Sequence, residues 1–275
     1  MKLVFVIVNY NCEHDIEQLS TQISTYGDIV VVDNSGTWNN SNKKIKVVNP
    51  GENLGFGRAI DYAIINLMLI DKYEFLTICN PDITIRNFDE WDSVLENFSQ
   101  STYSYFQPLV LSQGYQNSIQ GLPIARNHVW PMSYISFNPW RRRVKANDTN
   151  KEIGVFSGAF CIFKSTALKA IGGFSTLNFL YFEELDMALK IRERGLELGY
   201  FDSRISVDHY VGATTGQRKG SFNYRMHIIK LKSFLRTCRV HRMQYLSLFI
   251  FLDFVVRLCL GYSIYAVGLV TKPSK

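Results

Sequence analysis

Leu3-Val4-Phe5-Val6-Ile7-Val8 runs directly into Asn9-Tyr10-Asn11, and this opening stretch decides the fold. An unbroken apolar run, rich in β-branched residues and closed by turn-forming polar ones, fits a strand buried on both faces of a parallel sheet. Ile29 to Val32 and Phe75 to Cys79 repeat the pattern. Between them the spacing turns helical, notably from Arg58 to Asp71, where Ile60, Ala63, Ile64, Leu67 and Met68 make one apolar face. Strand and helix in alternation predict a doubly wound α/β layer.

In that architecture ligands collect beyond the carboxyl ends of the strands, where the crossover loops and helix amino termini meet. The polar residues just past each strand are therefore the candidates. They are Asn9, Tyr10 and Asn11 after the first, Asp33 and Asn34 after the second, and Asn53 with Gly55, Gly57 and Arg58 after Lys46 to Val48. Asn80 and Asp82 follow the strand ending at Cys79.

Downstream, periodicity is lost from Leu122 to Glu152, a stretch holding three prolines, two tryptophans and the basic string Arg141-Arg142-Arg143 with Lys145. A loop of this length in a compact domain is functional or disordered. Ile153 to Lys164 reads as strand, Ser165 to Ile171 as a short helix, and Glu183 to Arg194 as an amphipathic helix closed by Gly195. Ile205 to Asp208 is another short strand ahead of His209, and the chain reads as helical beyond Ser221.

The bulk numbers bound this reading. With 275 residues and 47% hydrophobic composition, the chain accommodates one large domain, residues 1–220, and a basic, amphipathic helical extension, residues 221–275. The formal charge of +6 is concentrated: from His209 to Leu252 there is no Asp or Glu, while eight Lys and Arg fall there. Such a block suits an anionic membrane surface or nucleic acid. Tyr245 to Leu269 is apolar but carries Asp253 and Arg257, charges that favour a helix lying in a membrane interface over one spanning it. Five scattered cysteines without a C-x-x-C pair read as reduced core residues, and the apolar run after Lys2 reads as too short for the hydrophobic region of a signal peptide.

Glu183, Glu184 and Asp186 are the densest acidic group in an apolar neighbourhood, directly after Phe179-Leu180-Tyr181-Phe182. Carboxylates in a first helical turn complement the helix dipole. An aromatic flank would also desolvate one and raise its basicity, as a general base requires. Asp82 could hold a hard cation, with His209 as a further ligand or diphosphate contact. Asp33 has the geometry to accept hydrogen bonds from a ribose or base.

Taken together, these segments resemble the family 2 glycosyltransferases, especially the bacterial rhamnosyltransferase-like branch of O-antigen and capsule assembly. The resemblance rests on Val6-Ile7-Val8-Asn9-Tyr10-Asn11, Val31-Val32-Asp33-Asn34-Ser35, Asn53-Leu54-Gly55-Phe56-Gly57, Asn80-Pro81-Asp82, Phe156-Ser157-Gly158-Ala159-Phe160, Gly172-Gly173-Phe174 and Tyr181 to Asp186. It covers about residues 1 to 215. It implies a GT-A fold, a mixed, Rossmann-like nucleotide-diphospho-sugar transferase sheet, and a nucleotide site lined by Asn9, Tyr10, Asn11, Asp33, Asn53, Gly57, Arg58 and Asn80. Asp82 and His209 would hold a Mg2+ or Mn2+ ion, with Asn80 standing where the family's metal motif has its first Asp. Glu184 is the implied base and Glu183 the alternative. The implied reaction is inverting hexosyl or rhamnosyl transfer, from dTDP-rhamnose first and a UDP-hexose next, to a lipid-diphosphate-linked glycan. The expected setting is cytoplasmic, peripheral on the inner face of the membrane, with no nucleic-acid partner and with homo-oligomers allowed.

Two other classes compete. A sugar-nucleotide nucleotidyltransferase would need a glycine-rich, Arg- and Lys-bearing phosphate loop after the first strand, where Asn9-Tyr10-Asn11-Cys12-Glu13-His14 stands instead. A non-enzymatic nucleic-acid binder would use the basic C-terminal block, but the apolar tail and crevice carboxylates count against it.

Overall fold

The computed structural model describes residues 1–112, 115–116, 124–125, 128–129, 151–210, 224–243 and 255. The strands are β1 (Leu3–Asn9), β2 (Asp28–Asp33), β3 (Ile45–Val48), β4 (Phe75–Cys79), β5 (Ile83–Asn87), β6 (Tyr103–Ser112), β7 (Tyr115–Gln116), β8 (Ile124–Ala125), β9 (His128–Val129), β10 (Lys151–Ile153), β11 (Phe160–Lys164) and β12 (Glu197–His209). The helices are α1 (Glu13–Ile23), α2 (Phe56–Leu67), α3 (Leu69–Lys72), α4 (Trp91–Gln100), α5 (Ser165–Ile171), α6 (Glu183–Glu193) and α7 (Tyr224–Val240).

One mixed sheet runs β10-β12-β6-β11-β4-β1-β2-β3, with β5 added against β12 and β7 against β6. β1 pairs in parallel with β2 and β4, and β2 with β3. β11 enters antiparallel between β4 and β6, and β12 lies parallel to β6. This is the α/β, GT-A architecture expected from the sequence.

The period-2 alternation of strand side chains divides the core into two layers. Val4, Val6 and Val8 of β1 face α2, α5, α6 and α7, where Ala59, Ile60, Leu168, Leu185 and Phe234 are buried. Leu3, Phe5 and Ile7 face α1 and α4, where Ile16, Leu19, Trp91 and Phe98 close the other side. Both faces of β1 are thus covered, which is why its sequence is apolar without alternation.

Four expectations change in detail. The helix expected from Arg58 to Asp71 breaks at Met68, whose φ of 53° is left-handed and whose side chain is 57% exposed rather than on the apolar face. The strand expected over Ile153 to Lys164 is two strands, β10 and β11, separated by the 154–159 loop. The strand before His209 begins at Glu197. α7, assigned from sequence to an extension, packs Phe234 and Cys238 into the same core as β1 and α6. Arg141 to Lys145, the boundary at residue 220 and most of the apolar tail lie outside the described residues. Among the described residues, no helix is long and apolar enough to cross a membrane, and four cysteines are free and buried.

The α4 layer is carried by aromatic packing: Phe98, fully buried, contacts the rings of Phe75, Phe106 and Tyr200 at centroid distances of 5.5, 6.1 and 5.8 Å. Phe98→Ala is expected to cost about 3–5 kcal/mol of unfolding free energy, read by urea denaturation, because the cavity cannot close against three rigid rings.

Candidate active site

Strand direction gathers the candidate residues. β1, β2 and β4 are parallel, so Asn9, Asp33 and Asn80 leave the sheet at one edge. β11 runs the other way, and Phe160 pairs with Cys79, so the loop entering β11 reaches the same edge. β6 and β12 end there too, and His209 pairs with Ile83 at the start of β5. The edge therefore collects the ends of β1, β2, β4 and β12, the 154–159 loop and Asp82.

On the β1–β2 side, Asn9 is fully buried and braces Asp33: its amide donates to Asp33 Oδ1 at 2.9 Å and to Glu13 Oε1 at 3.0 Å, while its Oδ1 accepts from the Cys12 amide at 2.9 Å. Asp33 Oδ1 also accepts from the Ser35 amide and hydroxyl, and Oδ2 from the Trp38 amide. Burial works against its charge, but these hydrogen bonds outweigh burial and hold its carboxyl below the ordinary value. Asn34 is occupied in the same way, donating to the Gly55 carbonyl and accepting from the Leu54 amide. Tyr10 is 48% exposed and Asn11, exposed, has a left-handed φ of 58°. Asn53 is exposed and caps its own turn through the Gly55 amide.

Gly55 and Gly57 are fixed by close approach of a second segment. The Phe56 amide donates to the Phe179 carbonyl, and a Cβ on Gly55, whose φ is 78°, would collide with that same carbonyl. A Cβ on Gly57 would collide with the Ser175 carbonyl and approach Glu183 Cγ at 3.1 Å. Arg58 donates through Nε to the Thr176 carbonyl. The glycine-rich turn thus carries the 175–182 segment on its back.

Asn80, Asp82 and His209 come together. His209 Nε2 lies 3.3 Å from both Asn80 Nδ2 and Asp82 Oδ1. Asp82 is buried, and its Oδ1 has no aligned hydrogen-bond donor although the imidazole nitrogen is close. The Asn80 amide nitrogen can only donate, so it takes the Nε2 lone pair as placed and leaves Asp82 Oδ1 as the atom open to a cation, with Nε2 joining it once the Asn80 amide turns away. Bonds of about 2.1 Å to one ion put adjacent ligand atoms about 3 Å apart. Among the described residues, no three His, Cys, Asp or Glu side chains converge on such a point, so these two, with the Asn80 amide, are what the chain offers.

The acidic segment splits into three environments within one helical turn. Glu183 is 3% exposed and accepts from the Tyr181 amide at 3.0 Å. Burial, and then the neighbouring charges of Glu184 and Asp186, push its carboxyl up to about 8. Glu184 is only half-buried, and its Oε1 accepts from the Gly158 amide at 3.2 Å. Burial raises its carboxyl also, opposed by its own amide and that of Gly158. Asp186 is buried yet held below the ordinary value, because the hydrogen bonds from His241 and Lys190 outweigh its burial. The turn before them is strained: Tyr181 and Phe182 have φ of 71° and 67°, a left-handed conformation that costs a residue with a Cβ about 1–2 kcal/mol.

Three contributors were not anticipated from sequence. Gln107 of β6, fully buried, accepts from the Ser157 amide at 2.5 Å and so fixes the loop that presents Gly158 to Glu184. His241 bridges Asp186 at 2.8 Å and Glu193 at 2.7 Å, the two ends of α6. Ser233 of α7 donates to the Leu180 carbonyl at 2.7 Å. None lies in a local motif; each acts across at least 48 residues of chain.

No family model matches the chain. Among curated proteins it is similar to the low-salt glycan biosynthesis hexosyltransferase Agl10 of Haloferax volcanii, with 25% identity over 204 residues covering 72% of this chain and 64% of the relative. It is also similar to an N-acetylglucosaminyl-diphospho-decaprenol L-rhamnosyltransferase of Mycobacterium tuberculosis, with 24% identity over 203 residues, covering 64% and 62% respectively. The chain spans just under two thirds of the length of these relatives. Among solved structures it resembles a mannosyltransferase of Pyrobaculum calidifontis in complex with GDP-Man and Mn2+, with TM-score 0.57 and 14% identity over 99% of this chain and 76% of that one. It also resembles GalNAc-T7 with UDP, GalNAc and Mn2+, with TM-score 0.58 and 14% identity over 87% of this chain and 48% of that one. At these identities the two structures bear on fold.

The raised carboxyl of Glu183 carries a linkage consequence. The folded chain holds this proton up to about pH 8, whereas the unfolded chain releases it near the ordinary carboxylate value of about 4.3. Between those limits the unfolded state binds fewer protons, so this group's contribution to stability falls as pH rises. Glu183→Gln removes the effect, and its melting temperature relative to the parent should climb from pH 5 to pH 8. A constant difference across that window would show that Glu183 is not buried as described.

Proposed function

We propose that this chain, a GT-A-fold relative of the family 2 glycosyltransferases, transfers a sugar from a nucleotide-diphosphate donor to a hydroxyl of a lipid-linked glycan, with inversion at the anomeric carbon. One observation carries the reading: two consecutive residues of the 154–159 loop touch both halves of a transfer site. The Gly158 amide donates to Glu184 Oε1, and the Ala159 carbonyl accepts from the Asn80 amide at 2.9 Å. A half-buried carboxylate of raised basicity is thereby held beside the Asn80, Asp82 and His209 cluster.

In this reaction Glu184 takes the proton of the acceptor hydroxyl as its oxygen bonds to the anomeric carbon, and the bond from that carbon to the diphosphate oxygen breaks. Glu184 is favoured over Glu183 because Glu183 is buried beneath Gly57 with one oxygen committed to the Tyr181 amide. Asp33, kept ionised by its hydrogen bonds, suits a ribose or base edge, and Asn9 orients it. Tyr10 and Asn53, exposed at the same edge, are available to the donor. Asp82 and His209, with Asn80, would hold a divalent cation, which when bound would neutralise charge on the departing nucleotide diphosphate.

The hexosyltransferase and rhamnosyltransferase relatives support dTDP-rhamnose as the first donor to test and UDP-hexoses as the next. The decaprenol-linked substrate in the name of the second relative supports a lipid-diphosphate acceptor. A place on the cytoplasmic side of a membrane surface is the setting we propose, supported by such an acceptor and by the exposed Arg225, Lys232, Arg239 and Arg242 on and just after α7.

Thermal-shift titration with dTDP-, UDP- and GDP-sugars, with and without Mn2+, is expected to give stabilisation by one nucleotide class that Asp82→Ala reduces. Absence of stabilisation by any of them would sink the reading. Glu184→Gln is expected to lower transfer at least a thousandfold in a radiolabelled-sugar assay while the nucleotide-dependent shift stays at parental size. Retention of more than a tenth of the rate would remove Glu184 as the base.

A further inference from the structure

α7 lies beyond the stretch that carries the family resemblance, yet its contacts converge on the segment that precedes the acidic helix. Ser233 Oγ donates to the Leu180 carbonyl at 2.7 Å, and Arg236 Nη1 to the Leu177 carbonyl at 3.0 Å. Asn178, fully buried, donates to Thr237 Oγ1 at 3.0 Å. The Phe234 ring meets the Phe182 ring edge-on at 5.0 Å, and the Lys230 ammonium stands 4.6 Å from the centre of the Tyr181 ring. Just past the helix, His241 joins Asp186 to Glu193.

The spacing shows this to be one face. Lys230, Ser233, Phe234 and Thr237 fall at i, i+3, i+4 and i+7, a single stripe along an α-helix. What they touch is residues 178–182, whose last two members are in the left-handed region although both carry bulky side chains. A pair of aromatic residues holds that conformation only where the surroundings over-determine it. On its other side the chain from Thr176 to Phe179 rests on α2, through Phe179 on Phe56 and Thr176 on Arg58.

We infer that α7 is a clamp belonging to the transfer site: it holds the Leu177–Phe182 segment in the left-handed turn that delivers Glu184 to the Gly158 amide. Ser233, Phe234 and Thr237 are its positioning residues. They act through the turn and need touch neither donor nor acceptor. The inference rests on Glu184 being the base, and its test separates the two.

Thr237→Val keeps the shape of the side chain but deletes the oxygen that accepts from Asn178, whereas Thr237→Ser keeps the oxygen. Both are made in the full chain, with Ser233→Ala as an independent variant and Glu184→Gln as reference. Transfer kinetics are measured beside nucleotide-dependent thermal shift, which reports whether the donor side is intact. Thr237→Val and Ser233→Ala are expected to lower kcat about tenfold or more, with the donor KM changed less than twofold and the nucleotide shift preserved. Thr237→Ser should recover at least half of the loss in kcat. If Thr237→Ser is as impaired as Thr237→Val, or if donor KM rises as much as kcat falls, α7 is only a piece of the fold and the clamp is wrong. Full kcat in Ser233→Ala and Thr237→Val, alongside an inactive Glu184→Gln, also overturns the clamp while leaving the base in place. An active Glu184→Gln fails the base reading itself. Should Ser233→Ala not fold, the Thr237 pair decides alone.

Discussion

The peptide units around Gly158 are the constraint on which the site depends. One amide reaches forward to Glu184, and the next carbonyl takes the Asn80 amide at the end of β4. A side chain at Gly158 would place its Cβ 2.6 Å from Glu184 Oε1, so a larger residue there would push the end of that carboxylate off its amide partner. The loop itself is anchored from the β6 side by Gln107. Glu184 and the end of β4 at Asn80 are thus both tied to main-chain groups of a single loop, and main-chain groups have little freedom to drift once both flanking strands are set. Such fixed placement is the preorganisation that the proposed transfer would require of its base.

Around that loop, three carboxylates of one helical turn are driven apart electrostatically. Asp186 has two cationic or hydrogen-bonding partners and is held ionised. Glu183 is raised by burial and then by the charge of Glu184, and Glu184 by burial against the pull of its own amide and that of Gly158. Neighbouring acids whose environments push them in opposite directions are the usual sign of divided roles. Here the division is between Asp186, anchored by His241 and Lys190, Glu183, buried beneath Gly57, and Glu184, half-buried at the Gly158 amide.

Much of this was legible in the sequence, and what was not shares a physical character. Leu3 to Val8, Ile29 to Val32 and Phe75 to Cys79 announce buried strands because local composition answers directly to two-sided burial. Once they are parallel, strand direction alone brings Asn9, Asp33, Asn80 and Asp82 to one edge. His209 joins them because β12 ends there. Gln107, Ser233, Thr237 and His241 are silent in sequence because their partners are set by tertiary packing, and each is of a type common on any surface. The left-handed turn was hidden for a similar reason: Tyr181 and Phe182 carry none of the glycine or asparagine signal that ordinarily marks positive φ. Met68 misled in the opposite sense, its apolar character suggesting a helix face when it sits at a break.

The seating of Gly55 and Phe56 against Phe179 bears on how sequences of this kind can be recombined. The 53–58 turn and the 175–182 segment are separated by more than a hundred residues, but they share a hydrogen bond and a contact too close for any Cβ. They are one inheritable block. A chimera that exchanges residues 53–58 for those of a relative carries half of an interlocking pair, and its partner segment at 175–182 has to travel with it. Residues of the two stretches should accordingly vary together among sequences that keep this architecture, as the two halves of a hinge pin and socket do.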